Sequence, residues 1–359
     1  MHVPFQVCPG CKWRHTLDLG CCEDACIPDE ISEAMEIFAI ARPRSLPNDG
    51  RTMGTGPMLT PANVAAALFL LVPYLAVAFF PETLARRMAY LPLWAQMAGP
   101  ALLVVPYVLV TAAAGDFRWG WFVLYAALPV AIAALLRQAR DVDQSQETDP
   151  NQEKGTWRDY LILAVLGLSV DLRWLERAWP AHMAIFNKVL LLDAGIYGFV
   201  LIRRLGGTGF DLRLRLRDAG VGLREVLFCT PPALALGLSL GFLHTHAVWP
   251  HAGAIATAWL FTFFFIAVPE ELFFRGWLQN LLERRIGRYP ALFVTAALFG
   301  LAHFNKHTVG HAGAFNWRYV MLAALAGVFY GRAWRRDRQV GASVVTHATV
   351  DTIWSMWLR

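Results

Sequence analysis

The chain of 359 residues is strongly apolar: 56% of its residues are hydrophobic, only 16% are charged, and its mean hydropathy is +0.41. A soluble globular protein carries about 25% charged residues. A soluble chain of this length could not bury so much apolar surface, so we expect the excess to face lipid. Composition therefore excludes an intrinsically disordered chain and a disulfide-stapled secreted domain, and it argues against nucleic-acid binding. The net charge of +5 indicates membrane topology rather than an acidic partner.

The first 58 residues differ from the rest of the chain. They contain no apolar core of the signal-peptide type, so we expect no cleavable signal. They hold five of the six cysteines: Cys8, Cys11, Cys21, Cys22 and Cys26. Two interpretations of this cluster stay open: a small zinc or disulfide cluster, and a tail unrelated to the function of the remaining chain.

Apolar runs recur along the remaining sequence. Most reach or approach the 17–25 residues with which a helix crosses about 30 Å of hydrocarbon. They occupy residues 60–80, 91–114, 119–136, 160–175, 179–202, 226–243, 254–282, 290–304, 317–334 and 340–357. The sequence thus predicts an all-α fold, a polytopic transmembrane helical bundle of about ten spans. The short, charge-bearing run at 160–175 is the weakest of them.

Positive charge is concentrated in alternate loops. Loops 81–90, 137–158, 203–225, 275–288 and 332–338 together carry 20 of the 32 Lys and Arg residues. Cytoplasmic loops are enriched in these residues, so we expect these five loops in the cytoplasm and both termini outside. If one early run does not span the membrane, the N-terminal tail lies in the cytoplasm while the later helices keep their orientation.

Three clusters of ionisable residues lie inside apolar runs of the C-terminal third, where each charge costs about 2.5–3.5 kcal/mol at mid-membrane. The clusters are Glu270-Glu271-Leu-Phe-Phe-Arg275, Phe299-Gly-Leu-Ala-His303 and His347-Ala-Thr-Val-Asp351. Residues four apart share a helix face, so Glu271 can pair with Arg275 and His347 points the same way as Asp351. Glu270 lies about 100° round the helix from its neighbour and is available for chemistry.

The clusters are predicted to lie at one depth. A polar turn at 283–290 separates two runs, and Glu270 and His303 are equidistant from it, so an antiparallel helix pair places them level. His347 and Asp351 lie at a comparable depth from the same side. We therefore expect four ionisable side chains from three helices in one layer. The alternative is purely structural: an ion pair and a histidine bonded to a backbone carbonyl.

The three motifs, in this order on apolar helices, resemble the CPBP family of CAAX proteases and bacteriocin-processing membrane proteins, also called Abi or type II CAAX endopeptidases. The resemblance covers about residues 220–358, which would form the protease core, and residues 59–219 would be accessory transmembrane helices. It implies a membrane-embedded endopeptidase of the bacterial cytoplasmic (inner) membrane. Its expected substrate is a membrane-associated or secreted peptide or protein, lipidated or carrying a sorting tail, which is cleaved near its C-terminus.

The resemblance also implies a role for each residue. Glu270 would activate water as a general base and His303 would hold and polarise it. His347 and Asp351 would stabilise the oxyanion, and Glu271 with Arg275 would lock the helix. No cofactor is expected; a divalent metal such as Zn²⁺, held by glutamate and histidine, is the alternative.

Two other function classes stay open. Intramembrane carboxylates and histidines also form proton relays, so an ion- or proton-coupled transporter is one alternative. A catalytically silent scaffold or immunity protein is the other. The sequence contains no HExxH motif, which argues against a metalloprotease of the zincin type.

Overall fold

A computed structural model describes residues 60–145, 154–180, 183–245, 249–305 and 315–358. The cysteine-containing segment 1–58 lies outside these ranges. The described residues form helices and connecting turns, and no strand occurs among them. The prediction of an all-α fold is confirmed for this part of the chain.

We number the main helices of the described residues in chain order. They are α1 (Pro61–Phe79), α2 (Pro81–Tyr90), α3 (Leu93–Ala114), α4 (Trp119–Ser145), α5 (Trp157–Asp171), α6 (Ala184–Ile202), α7 (Leu216–Ser239), α8 (Ala252–Ile286), α9 (Arg288–Leu301), α10 (Trp317–Asp337) and α11 (Val340–Trp357). Six of them, α1, α3, α4, α6, α7 and α8, are long and apolar enough to cross a membrane. The predicted count of about ten spans is not confirmed. Helix α9 is apolar but has only 14 residues, and the 21 residues of α10 include several arginines.

Helix α8 is irregular where it carries the two adjacent glutamates. A short α-helical stretch, Val268–Glu271, lies between two π-helical segments, Phe263–Ala267 and Leu272–Gln279. Pro269 has no backbone N–H, so the usual α-helical hydrogen bond of the preceding turn cannot form there. Short π-helical segments inside long helices frequently accompany functional sites. Irregular backbone therefore coincides with the first ionisable cluster.

The C-terminal helices form a bundle around α11. This helix packs against α7, α8 and α10, and α10 also packs against α9 and α7. Small residues permit the closest approaches, as expected for helices in a membrane: a Cβ atom on Gly300 would lie 2.5 Å from the carbonyl oxygen of Val320. At the α8–α9 turn, Gly287 has φ +83°, a left-handed conformation that reverses the chain.

The N-terminal helices pack beside this bundle. Their contacts with α8 are aromatic and polar: Phe199 of α6 stacks on Trp277 with ring centroids 4.8 Å apart, and the Tyr74 hydroxyl donates to the Phe264 carbonyl at 2.9 Å. Both residues of the stacked pair are buried. These contacts lie before and after the two glutamates along helix α8.

The loops predicted to share one side of the membrane meet at one end of the molecule. Arginines join them: Arg284 donates to the carbonyl of Gly206 (2.5 Å), Arg285 to that of Gly155 (2.8 Å), Arg204 to that of Ala85 (2.8 Å), and Arg338 pairs with Glu283 (2.9 Å). Within 275–288 the chain remains helical as far as Ile286, so Arg275 is a buried helix residue rather than a loop residue. We call this end the arginine end.

Exposed aromatic residues mark both ends of the bundle. Tyr90, Trp157 and Tyr289 are exposed near the arginine end, and Trp119, Trp249 and Trp317 are exposed near the opposite end. Tryptophan and tyrosine are enriched at the two membrane–water interfaces because their rings are amphipathic. This distribution is typical of a helical bundle that lies across a bilayer.

We predict that the arginine end faces the cytoplasm. In a protein whose native cysteines are replaced, Gly120→Cys at the opposite end should react with a membrane-impermeant maleimide in intact cells. Arg213→Cys, at a side chain that is 61% exposed near the arginine end, should react only after the cells are lysed. The reverse pattern, with Arg213→Cys labelled and Gly120→Cys protected in intact cells, would invert the topology.

Candidate active site

A buried ion pair fixes helix α8 to helix α10. Glu271 and Arg275 are both fully buried, and Arg275 Nη1 donates to Glu271 Oε1 at 3.0 Å. Arg275 Nη2 donates to the Gly327 carbonyl at 3.0 Å, and the guanidinium lies 4.5 Å from the centre of the Phe299 ring. A charge taken out of water needs a partner and further hydrogen bonds. Arg275 has both, because Glu271 is its charged partner and the Gly327 carbonyl accepts a further hydrogen bond.

Glu271 also binds helix α11. Its Oε1 lies 2.8 Å from His347 Nδ1, and its Oε2 accepts a hydrogen bond from the Ser343 hydroxyl. The i,i+4 spacing predicts only Arg275 as a partner, because the other two contacts join residues more than 70 positions apart. The one local signal for Ser343 is its place one turn before His347 on an apolar helix. Glu271 thus connects α8 and α11 through one carboxylate, and Arg275 extends this connection to α10.

His347 lies among three carboxylates. Beyond its contact with Glu271, its Nε2 lies 3.2 Å from Asp351 Oδ2 and 3.9 Å from Glu270 Oε2. Only 2% of the His347 side chain is exposed, against 26% for Glu270 and 30% for Asp351. The Tyr330 ring stacks on the imidazole at 4.6 Å. One edge of the imidazole is therefore held by the buried carboxylate, and the other faces two accessible ones.

His303 approaches the same region from the end of α9. It follows the last helical residue, Leu301, and its Nδ1 lies 2.8 Å from the Phe299 carbonyl oxygen. A carbonyl only accepts, so in this arrangement Nδ1 carries the proton and Nε2 of the neutral ring is an acceptor. The rings of Phe299 and Tyr319 lie 4.8 Å and 5.0 Å from the imidazole.

A cavity of about 100 Å³ brings His303, His347 and Asp351 together. It lies among α7, α10, α11 and the turn after α7, and it has room for several water molecules. Most of the remaining wall is apolar or aromatic and includes Cys229, Ala233, Leu234, Leu243, Leu322, Ala323, Ala326, Val350, Ile353 and Trp354. The cavity therefore combines a largely apolar wall with three ionisable side chains, and Glu270 lies beside one of them, His347.

One comparison with known proteins gives a match. Residues 252–353 match the family described as type II CAAX prenyl endopeptidase, Rce1-like. The resemblance to CAAX proteases is confirmed over this stretch. The matched residues run from the start of α8 into α11 and include all six residues of the predicted site. No curated protein and no solved structure matches the chain.

The donor groups of the matched segment do not fit a metal ion. Among the described residues, no three His, Cys, Asp or Glu side chains are arranged to hold one. Glu271 is engaged by Arg275, His347 and Ser343, and Nδ1 of His303 is taken by a backbone carbonyl. We therefore derive no catalytic step through a metal.

We predict that Glu271 and Arg275 are energetically coupled. Glu271→Ala leaves the guanidinium as an uncompensated buried cation and should destabilise the protein by about 3–5 kcal/mol. The double variant Glu271→Leu with Arg275→Met removes both charges and should recover much of the folded protein. Thermal melts in detergent measure this, with His303→Ala expected to melt like the parent. If Glu271→Ala also melts like the parent and the double variant is no better folded, the pair is not structural.

Proposed function

We propose that this protein is a membrane-embedded endopeptidase that hydrolyses a peptide bond with water activated by Glu270. The observation that carries this proposal is the convergence of His303, His347 and Asp351 on one cavity, with Glu270 at 3.9 Å from His347. Four ionisable groups at one place among apolar helices are costly to bury, and a packing role alone does not require them together. The match to the CAAX endopeptidase family supports the same reaction class.

In the proposed mechanism Glu270 is the general base. It is partly accessible, unlike its buried neighbour Glu271, so a water molecule can reach it. Glu270 takes a proton from that water as the oxygen attacks the scissile carbonyl carbon. His303, whose Nε2 is an acceptor in the tautomer described above, orients the water from the other wall of the cavity. The proton held by Glu270 then passes to the amine that leaves.

The carbonyl oxygen gains negative charge during the attack and needs donors that are already in place. His347 is suited to this role in its imidazolium form, because Nδ1 then donates to Glu271 while Nε2 carries a second proton that the oxyanion can accept. Glu271 and Tyr330 fix the ring, and only 2% of the His347 side chain is exposed. Asp351 holds the Nε2 side of the ring at 3.2 Å. Glu271 with Arg275 positions α8 and does not take part in the proton transfers.

The apolar wall of the cavity favours an apolar part of a substrate that arrives from the bilayer. The same wall carries His303, His347 and Asp351, which suits cleavage beside a short apolar segment near a substrate C-terminus. We propose a membrane-associated or secreted peptide or protein as substrate, lipidated or carrying a sorting tail. We also propose a location in a bacterial inner membrane, with the arginine end in the cytoplasm.

Replacing the base tests this proposal most simply. Glu270→Gln keeps the size and hydrogen-bonding capacity of the side chain but cannot accept the proton, so cleavage of a reporter peptide in detergent should fall by about 10²–10⁴-fold. Glu176→Gln is the matched control, because its carboxylate is also partly exposed (20%) but faces Arg173 in the connection between α5 and α6, outside the three motifs. A Glu270→Gln protein with more than half of the parent activity would remove Glu270 from the mechanism.

The same assay separates the other function classes. A transporter or a silent scaffold would give no cleavage by the purified parent protein, even with Glu270 intact. Ion uptake into proteoliposomes that depends on Glu270, without any cleavage, would favour the transporter.

We also predict that cleavage does not depend on a divalent metal. Incubation with a strong chelator followed by its removal should leave the initial rate within twofold of the untreated enzyme, because no three His, Cys, Asp or Glu side chains among the described residues are arranged to hold a metal ion. The measurement is the rate before and after treatment, with a known zinc protease treated in parallel. A complete loss of activity that added Zn²⁺ restores would contradict the proposed glutamate mechanism.

A further inference from the structure

A buried serine contacts the candidate active site without belonging to any of the three sequence motifs. Ser343 is completely buried on α11, one helical turn before His347. Its hydroxyl donates a hydrogen bond to Glu271 Oε2 on α8. The two residues are 72 positions apart, so the contact forms only when α8 and α11 pack.

The two carboxylate oxygens of Glu271 have different partners. Oε1 of Glu271 faces Arg275 at 3.0 Å and His347 Nδ1 at 2.8 Å, whereas Oε2 faces Ser343. The terminal torsion of a glutamate has a broad energy profile, so a carboxylate held at one oxygen can rotate. A donor at the second oxygen fixes the carboxylate plane. Ser343 thereby fixes where Oε1 lies relative to the imidazole.

The position of Oε1 in turn sets the orientation of His347. Glu271 already accepts from Arg275, so it is an ionised acceptor and His347 Nδ1 must supply the proton of their hydrogen bond. Because Nδ1 donates to Glu271, Nε2 is the nitrogen that faces Asp351 and Glu270. Such indirect partners commonly determine the tautomer and direction of a functional histidine.

We propose that Ser343 is a positioning residue of the active site, which acts on His347 through Glu271. The proposal rests on the proposed peptidase function for its effect on turnover, but its effect on the imidazole is independent of that function. Ser343 touches neither water nor substrate in this scheme. Its contribution is to keep Nδ1 of His347 against Glu271 and Nε2 toward the cavity.

The kinetic test compares two buried hydroxyls on one helix. Ser343→Ala should lower kcat per folded molecule by about tenfold, by analogy with the outer partners of metal-binding histidines, with KM within twofold of the parent. Ser343→Thr, which keeps a hydroxyl, should retain more activity than Ser343→Ala. The control is Thr346→Val, because Thr346 is equally buried but its hydroxyl bonds only to the carbonyls of Gly222 and Ala342.

A purely structural role of Ser343 would give a different result in these measurements. If Ser343→Ala lowers the thermal midpoint but turns over like the parent per folded molecule, Ser343 is structural and the proposal fails. It fails equally if Thr346→Val loses as much kcat as Ser343→Ala.

A spectroscopic measurement keeps the proposal testable even if the parent protein cleaves no peptide. With ¹⁵N-labelled histidine, and the His347 signals identified by their absence from a His347→Gln variant, the parent should show one ring species with a protonated Nδ1. Ser343→Ala should broaden or split these signals as the ring samples more than one arrangement. Identical His347 signals in the parent and in Ser343→Ala would overturn the proposal. Absence of cleavage by the parent would instead overturn the peptidase function alone.

Discussion

The buried carboxylate of Glu271 is the constraint on which the C-terminal half of the structure depends. An ionised carboxylate removed from water carries a penalty of several kcal/mol, which only close partners and hydrogen bonds offset. Glu271 finds three partners on two helices: Arg275 on α8, and Ser343 and His347 on α11, while Arg275 extends the contact to α10. Any shift of α11 relative to α8 would break this compensation. The packing of the bundle and the orientation of His347 therefore depend on the same group.

The two adjacent glutamates illustrate how one helix produces two environments. Glu271 is fully buried, whereas the Glu270 side chain keeps 26% of its surface accessible, although the residues are neighbours on α8. The helical turn of about 100° per residue directs them to different faces. A buried, ion-paired carboxylate serves as a fixed acceptor, and an accessible one can exchange a proton with water. For this reason we propose that Glu271 holds the helices in place and that Glu270 is the general base.

A similar buried arrangement holds the N-terminal helices together. Arg203, at the end of α6, is almost completely buried and pairs with Asp143 of α4 and with Asp159 of α5, the latter at 3.0 Å. Asp159 also accepts from the backbone N–H of Thr156, which starts α5. Both halves of the molecule thus use a compensated arginine where three helices meet. The family match begins at α8, so it assigns no role to the helices before it.

Short-range features of the site could be predicted from the sequence, and long-range ones could not. The pairing of Glu271 with Arg275 follows from their i,i+4 spacing, and apolar run lengths indicate a helical membrane protein. The contact between Glu271 and His347 depends on which face of α11 meets α8, and helical periodicity does not determine that choice. The sequence also does not determine the number of membrane spans. A run such as 160–175 has a length and charge content between those of a membrane span and a buried core helix.

The most direct measurement of the central claim is cleavage in water enriched in ¹⁸O. The purified protein in detergent is incubated with a mixture of peptides that end in apolar residues, and the products are read by mass spectrometry. A site that adds activated water across a peptide bond should release products whose new C-terminal carboxylate carries one ¹⁸O atom, and Glu270→Gln should yield none of them. If parent and variant give the same product spectrum, or if no peptide is cut, the cavity around His347 is not a hydrolytic site.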